Sequence, residues 1–268
     1  MLRPLHRKKA KKSPITDNPL RNPGQSLDAL LRNTLDEQVL PLLLAITMCF
    51  FGAFCDWYRW FLKIPNHRPD LENVFYAALT SYCIFRIYTI CRKTKNIKLA
   101  RDGEKAVGQY LETLRAKGYC VFHDIIGNNF NIDHVIVGPQ GIFTIETKTY
   151  SKPAQGKADI YFDGTSISAN GYKPDRNPIV QALAQSRWLS EQIQSSAGRT
   201  HSVKPVVVFP GWFVTSKAEA RSSNVWVLNP KALDKFIDRE PVKLEVEEIK
   251  LIAYHLSRYI RVNYNPLH

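Results

Sequence analysis

Between Asn131 and Lys148 the chain reads Asn-Ile-Asp-His-Val-Ile-Val-Gly-Pro-Gln-Gly-Ile-Phe-Thr-Ile-Glu-Thr-Lys. Asp133, Glu146 and Lys148 are the charged side chains of an otherwise apolar run. Gly138-Pro139-Gln140-Gly141 divides it, with Pro at the second turn position and Gly at the fourth, as a type I turn favours. The pattern predicts a hairpin of strands 132–137 and 142–147. If Gly138 and Gly141 flank a two-residue loop, Asp133 lies directly opposite Glu146. Opposed residues project from one face, with Cβ atoms about 4.5–5.5 Å apart. Lys148, two residues beyond Glu146, shares that face. A three-residue loop with a bulge at Gly141 slips the register by one, and Asp133 then faces Thr147.

Two carboxylates that close repel one another. In apolar surroundings they are unfavourable unless a divalent cation sits between them. Carboxylate oxygens and water suit Mg2+ or Mn2+. Such an ion lowers the pKa of a bound water and polarises a phosphate. A nearby lysine can orient the water or stabilise transition-state charge. That is the chemistry of phosphodiester hydrolysis. The plainer reading is a structural Asp–Lys or Glu–Lys pair on an exposed sheet face. Ile132, Val135, Ile136, Val137, Ile142, Phe143 and Ile145 around the charges weigh against it.

The elements that must position these groups belong to an α/β domain. Asp102 to Lys117 reads as a helix, with Val107, Tyr110, Leu111 and Leu114 at 3–4 spacing and Gly118 ending it. Tyr119 to Ile125 is a strand. Short strands are expected around Asp163-Gly164, between 159 and 167. Asn177-Pro178 opens a helix to about Gln194. Val203 to Phe209 is a continuous apolar run, as a strand buried on both faces should be. Val225 to Leu228 is another strand, and 230–239 and 245–259 are helices.

The ordered blocks resemble a known family. Asp-x(12)-Glu-x-Lys across a hairpin is similar to the core of the PD-(D/E)XK nuclease superfamily. Add Gly103-Glu104 opening a helix, Ile132-Asp133-His134, Gly138-Pro-x-Gly-Ile-Phe, Ile145-Glu146-Thr147-Lys148 and Asn177-Pro178-x-x-Gln181, and the set resembles the NERD (nuclease-related) domain over about 100–215. The resemblance implies a restriction-endonuclease-like mixed sheet flanked by helices. It implies that Asp133 and Glu146 bind metal and that Lys148 is the catalytic lysine. It implies that Glu104 helps hold metal or water and that Gln181 stands near the site. The superfamily's proline is absent before Asp133, where Ile132 stands, as in NERD-like sequences. Each position also has a bland reading. Glu104 can complement a helix dipole, and Gln181 can cap local backbone. His134 should face away from Asp133, as a packed histidine rather than a catalytic base. Lys152, Lys173, Arg176 and Arg187 could contact phosphates. Trp212, Trp226 and the tyrosines near the C-terminus read as core.

The chain is 268 residues long with a net charge of +13, which invites a nucleic-acid reading. The excess is uneven, with 16 basic against 7 acidic residues in 1–100 and 21 against 17 thereafter. Topology explains the first part. Residues 39–55 are apolar and uncharged, with Trp57, Tyr58, Trp60 and Phe61 following as an interfacial belt. Residues 74–91 carry one charge, Arg86, near the end, where it can snorkel; this run either spans or lies at the interface. The expected organisation is a basic disordered arm over 1–38, a transmembrane hairpin over 39–95 and a NERD-like domain with C-terminal helices over 96–268. Lys/Arg bias places both termini and the nuclease domain in the cytoplasm, in an integral-membrane protein. The basic run 7–12 suits a solvated tail, anionic lipid headgroups or nucleic acid. Five cysteines, odd in number and without zinc spacing, suit a reducing compartment.

The expected function is a membrane-anchored, Mg2+- or Mn2+-dependent nuclease acting on DNA, with RNA as the other substrate class. The alternative is a non-catalytic nucleic-acid-binding or scaffold module on the same fold. A third reading makes the basic arm a membrane-surface sensor.

Overall fold

Three hairpin-connected strands start the central sheet: β1 (Cys120–Ile126), β2 (Asn131–Gly138) and β3 (Gly141–Thr147). In this computed structural model, which describes residues 17–64, 69–153, 155–174 and 177–263, they pair antiparallel. β6 (Val203–Val208) then adds parallel to β3, and β8 (Trp226–Leu228) parallel to β6, giving the order β1-β2-β3-β6-β8. The sheet is mixed, as expected. A second sheet orders as β5-β4-β7, from β4 (Asp159–Phe162), β5 (Ile167–Ala169) and β7 (Phe213–Ser216). β7 has no counterpart in the sequence reading, because Phe213-Val-Thr-Ser is too short and too mixed to signal a strand.

Helices cover both faces of the main sheet. In chain order they are α1 (Gln25–Thr34), α2 (Leu40–Phe61), α3 (Pro69–Glu112), α4 (Pro178–Ala197), α5 (Pro230–Ile237) and α6 (Val246–Val262). Alternation along the strands divides the core. Ile136, Phe143, Ile145, Val206 and Val208 pack with Val107 and Leu111 of α3 and Leu233 and Ile237 of α5. Val135, Val137 and Ile142 face the other way, onto Leu189 and Ile193 of α4 and Ile252 and Leu256 of α6. Asn177 caps α4 by accepting the Ile179 N–H, and Pro178 occupies its first turn. Trp212 is core, and Trp226 stacks on Phe143. Tyr254 is exposed, against expectation, because it lies on the outer side of α6.

Two expectations change in the N-terminal third. The arm 1–38 is structured from residue 17 on: α1 forms, and Arg21 is buried. The basic run 7–12 lies outside the described residues. Nor is there a break near residue 96. The second apolar run and the first domain helix are one helix of 44 residues, α3, about 66 Å long. Gly103 therefore stands inside a helix and does not open one. It is needed there, because a Cβ would lie 1.8 Å from the Thr149 hydroxyl. Two helical stretches, Gln25–Phe61 and Leu71–Lys117, are long and apolar enough to cross a membrane by length and composition. Phe50, Phe51, Phe54, Phe75, Ile84 and Phe85 on them are exposed rather than packed in a core.

One polar pair is sealed in the α3 side of the sheet. His123 and His134 face each other across β1 and β2, with their Nδ1 atoms 2.9 Å apart. Glu112 accepts from His123 Nε2 at 2.7 Å, so the His134 Nδ1–H donates onward to His123. Burial holds both imidazoles below the usual histidine range, against the pull of Glu112 at His123 and with help from His123 at His134. The unfolded chain then binds their protons more readily than the folded one. Stability is full above the ordinary pKa of about 6.5 and falls as pH drops below it. We expect the change in melting midpoint from pH 7 to pH 5 to be less favourable in wild type than in a His123→Gln/His134→Leu double variant, the difference isolating the two histidines from the raised carboxylates elsewhere. Equal changes in thermal melts of the two proteins would contradict this.

Candidate active site

The Gly138↔Gly141 pairing leaves Pro139 and Gln140 as a two-residue loop. The register runs back to His134↔Ile145, so the next opposed positions are Asp133 and Glu146. That settles the choice left open by the turn. Both carboxylates leave the sheet on the side of Ile142 and Val135, toward α4. The Thr147 backbone N–H donates to Asp133 Oδ2 at 2.7 Å, which fixes one carboxylate against the other strand.

Glu146 is only 2% exposed. A carboxylate so buried needs partners, and it has them. Lys148 Nζ donates to Oε1 at 2.6 Å, and Gln185 Nε2 donates to Oε2 at 2.5 Å. The same lysine donates to Gln181 Oε1 at 2.9 Å. Gln181 and Gln185 are four apart on α4, so they share one helix face. The Lys148 N–H donates to the Val208 carbonyl at 2.9 Å, extending the β3–β6 ladder one residue beyond the strand. Lys148 thus leaves from a position fixed by backbone bonds. Glu104 arrives from α3, which passes close to Thr149 because residue 103 has no side chain.

A cleft of about 640 Å3 opens where these elements meet, at the C-terminal end of β3. Glu104, Asp133, Glu146, Lys148 and Gln181 all line it. All five residues singled out in the sequence are therefore brought together. Glu104 lies deep within α3, so complementing a helix N-terminus is not its role. His134 points to the opposite face and is out of reach. Lys152, Lys173 and Arg187 are exposed and do not line the cleft, and Arg176 lies outside the described residues. Gln185 was missed. Its signal was the four-residue spacing from Gln181. Asp124, Asn131 and Ser26 also line the cleft, and nothing in their local sequence pointed to it.

The cleft is electrostatically loaded. Burial, then Asp124 and Glu146, push Glu104 up to about 8. Burial, then Glu146 and Glu104, hold the Asp133 carboxyl well above its usual range, against the Thr147 amide and Lys148. Burial pulls Lys148 down, but the Glu146 charge and hydrogen bond outweigh it and the lysine ends above its usual value. Among the described residues, no three His, Cys, Asp or Glu side chains converge tightly enough to enclose an ion. The donor chemistry nonetheless fits a hard cation. Three carboxylates share one cleft, and ionisation of Glu104 and Asp133 is made less favourable there by their acidic neighbours.

Asp133→Asn keeps an oxygen for the Thr147 amide and removes a charge that its neighbours oppose. We expect it to raise the unfolding midpoint in metal-free buffer by about 2–4 °C. A lowered midpoint would contradict the account of like-charge loading.

Residues 99–210 match the family model of the nuclease-related domain. An uncharacterized protein of Bacillus anthracis is 29% identical over 129 residues, which is 46% of this chain and 61% of that relative's length. No solved structure matches. The matched region contains Glu104, Asp133, Glu146, Lys148, Gln181 and Gln185. Over residues 99–210 the chain is thus similar to the nuclease-related (NERD) domain.

Proposed function

We propose that this protein is a membrane-anchored, divalent-metal-dependent nuclease that hydrolyses phosphodiester bonds of DNA. The observation that carries the reading is the Lys148 ammonium, held between Glu146 and Gln181 in a cleft that Asp133 and Glu104 also line. Asp133, Glu146 and Glu104 would hold Mg2+ or Mn2+, which when bound supplies a more acidic water and charge neutralisation at the phosphate. An ammonium has three donors. Glu146 and Gln181 take two, leaving the third to aim at an attacking water or a phosphate oxygen. Lys148 thereby stabilises negative charge that grows in the transition state. Gln181 and Gln185 keep Lys148 and Glu146 in register, so little reorganisation is needed at the moment of reaction.

The anchor is the helical pair α2–α3. The 22 residues of α2 are about 33 Å long, enough for a bilayer core. Its exposed aromatic surface suits lipid, and the basic bias of both flanks puts the termini and the nuclease domain on the cytoplasmic side.

A non-catalytic nucleic-acid-binding module is the second reading. It is favoured by one observation: both Glu146 oxygens already accept protein hydrogen bonds.

The test uses the full chain in detergent or nanodiscs, with linear, supercoiled and single-stranded DNA in Mg2+, Mn2+ and EDTA. Cleavage should require metal, and Glu146→Ala or Lys148→Ala should each lower its rate by about a hundredfold or more. DNA binding without cleavage, unchanged in both variants, would favour the binding module. Separately, the chain should stay with membranes through an alkaline carbonate wash. Its release into the supernatant would contradict the anchor.

A further inference from the structure

The matched family region starts at residue 99, yet Ser26 and Leu27 also line the cleft. Arg21 is 5% exposed and lies on the equally buried Asp124, with Nε at 3.1 Å and Nη2 at 2.6 Å from Oδ2. Ser26 adds its backbone N–H at 2.7 Å and its hydroxyl at 2.9 Å to the same oxygen. Asp124 adopts a left-handed backbone, with φ of 51°, a conformation uncommon outside glycine that Asp accommodates better than most residues.

The contacts do not stop there. Asn131 Nδ2 donates to the Ser26 hydroxyl at 2.8 Å and to Asp124 Oδ1 at 3.3 Å. The Asn131 carbonyl accepts from Gln185 Nε2 at 2.9 Å, and that same nitrogen donates to Glu146 Oε2. Arg21, Asp124, Ser26, Asn131, Gln185 and Glu146 therefore form one unbroken chain of hydrogen bonds. A second set of contacts clamps the segment to the helix that carries Glu104. Asp28 pairs with Arg101 at 3.4 Å and Lys105 at 2.6 Å, and Gly108 of α3 has no room for a Cβ beside Pro23.

We infer that residues 20–28 are a working part of the site, and that Arg21 and Ser26 act through Asp124, Asn131 and Gln185 as positioning residues for the Glu146 carboxylate. The inference deepens the nuclease reading and rests on it for its catalytic consequence. It also couples the site to the anchor. From Ser26 the chain runs helically for about 21 Å to the start of α2. A displacement of that helix bears on the same contacts that orient Glu146.

The experiment compares full-length wild type with Arg21→Ala, Ser26→Ala and Arg21→Lys. Arg199→Ala, at an exposed ion pair with Glu248, is the control. In cleavage assays, Arg21→Ala and Ser26→Ala should lower kcat about tenfold or more while KM for DNA changes less than about threefold. Arg21→Lys keeps the charge but not the planar fork and should recover part of the loss. Hydrogen exchange followed by mass spectrometry needs no catalysis. There the peptides over 128–132 and 181–186 should exchange about tenfold faster in Arg21→Ala, with the α5 and α6 peptides unchanged. Ser26→Ala gives the same readout should Arg21→Ala fail to fold. Unchanged kcat in both alanine variants, or unchanged exchange at 128–132 and 181–186, overturns the inference. If wild type itself cleaves nothing, the nuclease reading falls, and the exchange data alone decide the coupling.

Discussion

A carboxylate at the end of a central strand, almost fully removed from water, is the constraint that organises this domain. Glu146 is buried in the central sheet, opposite Val207 of the parallel strand β6, where an unpaired charge would be strongly unfavourable. Lys148 and Gln185 compensate it, and each must be delivered from a fixed place. The β3–β6 ladder delivers the first. The face of α4 delivers the second. α4 in turn is held by Leu189 and Ile193 against the sheet. The apolar core and the polar site are thus one construction. The same packing that excludes water from Glu146 makes its partners obligatory.

A site built this way is stable but not relaxed. Asp133 and Glu104 share the cleft with Glu146, and burial and mutual repulsion raise both above their usual carboxylate range. Proteins tolerate such loading where function needs it, and pay elsewhere with packing. The loading also points to what the cleft would accept: a cation, and beyond it an anion that a lysine can meet.

The strands of the main sheet, the hairpin and α4 were legible because their signals are local. Periodicity gave the sheet order of faces, and the Gly-Pro-Gln-Gly turn brought two registers into contention. Only the three-dimensional pairing chose between them. The five site residues were legible from their spacing and family resemblance together. What was not legible is long-range. Arg21 meets Asp124 across 103 positions of sequence, and nothing near either residue announces the other. Gln185 was hidden for a milder reason, since a glutamine on a helix is ordinarily a solvated one. The continuous α3 was hidden because basic residues 92–98 read as the end of a span, although Lys and Arg are good helix formers and propagate the helix through the gap.

The central claim is that the acidic cleft around Glu146 takes a divalent cation beside a lysine that is not a ligand. The most direct measurement is Mn2+ binding to the full chain by electron paramagnetic resonance. The account predicts saturable binding that is lost in Asp133→Asn and in Glu146→Gln and kept in Lys148→Met. Absence of binding in the wild type, or binding that survives both carboxylate substitutions, would contradict it.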